Sequence, residues 1–85
     1  MKPVTREADI IGRTYAITAT ASIAQSSIRV ETGRHVVIGE LPATVADAMA
    51  ATLDLDPIAA RLLLTAIRTT VDAAHRRAVS RMVAA

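Results

Sequence analysis

Residues 56–82, DPIAARLLLTAIRTTVDAAHRRAVSRM, decide how the rest of the chain is read. Apolar residues recur there at Ala60, Leu64, Ile67, Val71, Ala74 and Ala78, a spacing of four and three that draws one stripe along a helix. Asp56 is a good N-cap, Pro57 suits the first helical position, and no Gly or Pro follows it. The pattern predicts a helix over 57–83, which at 1.5 Å per residue is a rod of about 40 Å. A compact domain of this length has a radius of gyration of only ~12 Å. The rod is therefore expected to meet a second copy of the chain, with those six residues as the oligomer interface and a dimer favoured. Its first turns are apolar nearly all round, with Ile58, Leu62, Leu63, Leu64, Ala66 and Ile67, so one side can cover a sheet while another meets a partner.

Composition points the same way. The chain has 85 residues, which predicts a single domain over 1–85 burying only a modest share of its unfolded surface. Hydrophobic residues make up 52%, yet Tyr15 is the only aromatic and alanine dominates. Such a core packs closely but buries little area per residue, and association is a common remedy. There is no Cys, so neither a disulfide nor a thiolate metal site can reinforce it. No apolar h-region follows Met1, and Arg61, Arg68 and Asp72 interrupt the only stretch approaching the ~18–20 residues of a membrane span. A cytoplasmic protein with no membrane contact is expected. Lys2 is the sole lysine beside many arginines, a codon bias that predicts a bacterial or phage source.

Upstream of the rod, residues 14–24 alternate. Tyr15, Ile17, Ala19, Ala21 and Ile23 share one face, and Thr14, Thr18, Thr20 and Ser22 share the other. Gly12 is read as a bulge or the entry to this strand. Gln25-Ser26 is read as a reversal, after which Ile28 and Val30 point inward on a second strand. Glu31-Thr32-Gly33-Arg34 makes a hairpin turn because Gly33 can take positive φ, and residues 35–38 return as a third. Thr44 is the expected cap of a short helix over 43–54 that buries Val45, Ala48, Met49, Thr52 and Leu53. The fold class predicted is α+β: a three-stranded antiparallel β-meander over 8–39, the short helix, and the long amphipathic helix.

Charge is sorted along the chain. Glu40, Asp47, Asp54 and Asp56 precede the long helix, whereas Arg61, Arg68, Arg76, Arg77 and Arg81 lie on it against Asp72 alone. Acids near a helix start and bases near its end both complement the helix dipole. Residues 44–63 partly match a helix-turn-helix. Thr52 stands where that motif wants Gly, Arg61 where it wants a buried residue, and the second helix opens on Pro57-Ile58-Ala59-Ala60 beside acids that repel phosphate. A second route to nucleic acid uses residues 27–38 as a ribbon carrying Arg29 and Arg34, or the helix end carrying Arg76, Arg77 and Arg81. Tyr15 alone cannot build a base-stacking platform.

Enzymatic chemistry finds little to use. His35 and His75 sit in no metal-binding or nucleophile-activating spacing, and Ser26-Ser27 with Glu31 or Glu40 has no Gly-rich phosphate loop, carboxylate pair or base-orienting acid beside it. No catalytic residue, metal ligand or cofactor is expected. The function expected is a non-catalytic, self-associating protein–protein interaction module with a protein partner, and the alternative is a small dimeric DNA-binding transcriptional regulator.

Overall fold

The computed structural model describes residues 2–22 and 24–84, with side chains through residue 80. Four strands, β1 (Val4–Ile10), β2 (Arg13–Ala21), β3 (Ser26–Thr32) and β4 (His35–Gly39), form one antiparallel sheet in the order β1-β2-β3-β4. Two helices follow, α1 (Pro42–Leu53) and α2 (Pro57–Ala84). The α+β class stands, with four strands in place of three.

The added strand is β1. Its sequence shows a broken alternation, because Arg6 occupies the inner-face position between Val4 and Ala8. An edge strand tolerates that charge, since its inner face is only half covered. Gly12 is neither a bulge nor a strand entry. With Ile11 it forms a two-residue turn at positive φ, 48° and 77°, closing the Ile10–Arg13 pair as a type I′ hairpin does. Ile11 carries none of the usual turn chemistry, which is why the hairpin is hidden in the sequence.

β2 and β3 follow the expected alternation. Tyr15, Ile17, Ala19 and Ala21 are buried on β2, and Ile28 and Val30 on β3. Ile23, placed on that face by its spacing, lies outside the described residues. Ser26 belongs to β3, paired with Ala21, and not to the reversal before it. The β3–β4 turn is Gly33-Arg34, with φ of +56° at Gly33, and it closes the Thr32–His35 pair. Thr32, buried at the inner face, donates its hydroxyl proton to the Thr14 carbonyl at 2.9 Å.

Both helices pack on the same sheet face, α2 across β1 and β2, and α1 across β4 and the margin of β3. The core between the layers is built from Tyr15, Ile17, Ile28, Val30, Val45, Met49, Leu63 and Ile67. Thr70 is buried with them, its hydroxyl bonded to the Ala66 carbonyl at 2.8 Å. Among the described residues, no element covers the opposite sheet face. α2, 28 residues and so about 42 Å long, accounts for the long axis of the 44 × 22 × 20 Å extents.

α1 departs from expectation at its start and on one flank. It begins at Pro42, preceded by an extended Leu41 that makes no side-chain cap, so Thr44 lies inside the helix and does not cap it. Val45, Ala46 and Met49 form its buried line, while Ala48 and Thr52 are exposed. α1 ends at Asp54 in the left-handed region, where the Leu55 N–H reaches back to the Ala50 carbonyl at 2.9 Å. Asp56 then caps α2 as expected, accepting the Ala59 N–H at 2.8 Å.

Candidate functional site

Burial divides the apolar stripe of α2. Ile67, Val71 and Ala74 lie within the chain's own core, while Ala60, Leu64 and Ala78 are half-buried. The side of α2 left in solvent is a different one. Ile58 and Leu62, four residues apart on one helical face, are 69% and 46% exposed. Val79, further along the helix, is also exposed.

A second exposed apolar group lies at β4. The strand's inner-face residue Val37 packs against the core, and Val36 and Ile38 project onto the uncovered face, Ile38 at 69% exposure. Leu41, just past the strand, is exposed as well. Pairing across the sheet sets Ile38 beside Arg29 and Val36 beside Glu31. Arg29 and Glu31 join in an ion pair at 3.4 Å, the only one among the described residues. Apart from Ala16, the remainder of that face among the described residues is polar. Thr5 and Thr18 share a hydroxyl contact at 3.2 Å, and Thr14 donates to the Asp9 carboxylate at 2.6 Å.

The arginines fall on separate layers. Arg29 stands on the uncovered sheet face and Arg34 in the exposed β3–β4 turn, whereas Arg76 and Arg77 are exposed on α2 in the helix layer. The side chain of Arg81 lies outside the described residues. His35 is exposed at the head of β4, and His75 is half-buried on α2. Among the described residues no three His, Asp or Glu side chains gather as metal ligands would.

Two shallow hollows complete the surface. One, of about 180 Å³, runs between β1 and α2 and is lined by Arg6, Glu7, Ala8, Ile17, Ala66, Thr69 and Thr70. Its two helical hydroxyls are bonded to carbonyls one turn back, those of Thr65 and Ala66. The other, of about 270 Å³, gathers Ser26, Ser27 and Glu40 near the β2–β3 loop. Ser26 spends its hydroxyl proton on the Glu40 carbonyl at 3.0 Å, so the serine and the acid meet through main chain.

Among the described residues no helix is long and apolar enough to cross a membrane. No protein-family model, no curated protein and no solved structure gives a significant match to this chain.

Proposed function

We propose that the chain is a non-catalytic protein–protein interaction module that works by associating with itself. The observation carrying this reading is a pair of large aliphatic side chains left in water after the core is complete, Val36 and Ile38 on the uncovered face of β4. Scattered exposed apolar residues are ordinary, but these two are neighbours on one face of an edge strand, in a chain whose core is short of large side chains. Burying them against a second copy adds apolar area that 85 residues cannot supply alone. Light scattering across nanomolar to micromolar concentration tests this, and a single-chain mass throughout would end the reading.

A second reading, a dimeric DNA-binding regulator, draws support from Arg29, Arg34, Arg76 and Arg77, all exposed. Each layer of the fold holds one pair, so two copies would offer several cationic points to phosphates. Affinity for duplex DNA should then fall steeply between about 50 and 200 mM salt, by roughly one log–log slope unit per phosphate contacted. Absence of retention on DNA at the lower salt removes it.

A further inference from the structure

The two edges of the sheet are built differently, and the difference selects one of them. The two-residue turn makes Thr32–His35 a hydrogen-bonded pair, so alternation turns the main-chain groups of His35, Val37 and Gly39 toward β3. The N–H and C=O groups of Val36 and Ile38 then point off the sheet. The same count on β1, from its Ile10–Arg13 pair, leaves Thr5, Glu7 and Asp9 facing outward.

β1 is protected against a second β1. A two-fold pairing centred on Glu7 sets Glu7 opposite its own copy, one centred on Arg6 does the same with arginine, and one centred on Ala8 sets Glu7 opposite Asp9. Arg6 is also an exposed charge on the inner face, a common guard of edge strands. β4 has no such guard. Val36, Val37 and Ile38 are uncharged, and two of them are exposed.

We infer that the β4 edge is where a second copy of this chain docks, strand against strand and antiparallel, joining two four-stranded sheets into one of eight. The inference rests on the self-association reading above and names the surface it uses. A two-fold axis at Val37 pairs Val36 with Ile38 of the second copy, and the reverse, through four main-chain hydrogen bonds. On the uncovered face those four side chains become one apolar cluster, with the Arg29–Glu31 pairs to either side and no like charges opposed. The contact is isologous and closes after two copies, whereas joining β4 to β1 would set the acids of β1 beside Val36 and Ile38 and propagate without end.

The helix layer permits the approach. A five-residue strand edge alone falls short of the roughly 1,000 Å² expected of a specific interface. α1 supplies more. Ala46 and Ala50 lie on its covered flank, toward α2, so Thr44, Ala48 and Thr52 lie on the exposed flank toward the β4 edge. With strands ~4.8 Å apart and α1 above β4 and the margin of β3, the two α1 helices come to roughly 8–10 Å, a packing distance at which small side chains are wanted.

The test uses Ile38→Lys and Ile58→Lys, both at exposed positions that leave the core untouched, together with wild type. Light scattering at tens of micromolar should give twice the single-chain mass for wild type and Ile58→Lys. For Ile38→Lys the dimer dissociation constant should rise by roughly 100-fold or more, two apolar contacts being lost per dimer. Circular dichroism confirms that each variant is folded. Independently of any variant, amide hydrogen exchange should show Val36 and Ile38 protected at high concentration and fast on dilution. A dimer that survives Ile38→Lys, with those two amides fast throughout, overturns the β4 contact and leaves self-association standing. A single-chain mass at every concentration overturns both, and leaves the edge open to a foreign strand instead.

Discussion

Gly39 at the end of β4 and Val45 in the first turn of α1 approach so closely that a β-carbon on Gly39 would stand 2.7 Å from Val45 Cγ2. Val45 is buried and β-branched, so it has little freedom to retreat. This contact seats α1 against the last strand, and so turns Ala48 and Thr52 outward beside the sheet edge.

Gly39→Ala should therefore destabilise the fold by about 1–3 kcal/mol through overpacking. Val45→Ala makes room for the added methyl, so the double variant should lose less stability than the two single losses combined. Urea denaturation of the three variants measures the cycle; additive losses would show that the two residues are not in contact.

Ile11 offers the opposite prospect. A β-branched residue at φ 48° costs on the order of 1–3 kcal/mol, and its side chain is 65% exposed, so little packing compensates. Ile11→Asn keeps the turn with Gly12 and should raise stability by about 1 kcal/mol, or the melting temperature by about 4–8 °C. A melting temperature that stays level or falls would mean the turn is not of this type.

At the head of α2, Asp56→Ala removes the acceptor of the Ala59 N–H and should cost about 1 kcal/mol, whereas Asp56→Ser should retain most of the cap. Equal losses from the two variants in a urea titration would contradict the capping role.

What could be read from the sequence follows the strength of each local signal. α2 was legible from Asp56-Pro57 and an unbroken apolar stripe, and β2 from strict alternation around a buried centre. β1 was not, because a half-covered edge accepts Arg6 at an inner position and the Ile11-Gly12 turn lacks an Asn or Asp. The exposed flank of α1 is not legible in the sequence because Ala48 and Thr52 suit either environment; only the place of α2 decides which side of α1 is covered. For the surface, periodicity identified which residues of α2 are apolar but not what covers them. Ile67, Val71 and Ala74 meet the chain's own sheet, while Ile58 and Leu62 remain outside.

Ile67 gives that distinction a measurable form. It is fully buried in the single chain, so Ile67→Ala should cost about 2–5 kcal/mol at any protein concentration. A destabilisation that appears only in the associated state would place Ile67 in the contact between copies instead of the core.

Self-association is the claim on which the functional reading stands, and sedimentation equilibrium of the wild-type chain from nanomolar to tens of micromolar tests it most directly. The account predicts a reversible, concentration-dependent shift from the 9.0 kDa chain to a species of twice that mass. A folded species that holds the single-chain mass over the whole range would contradict it.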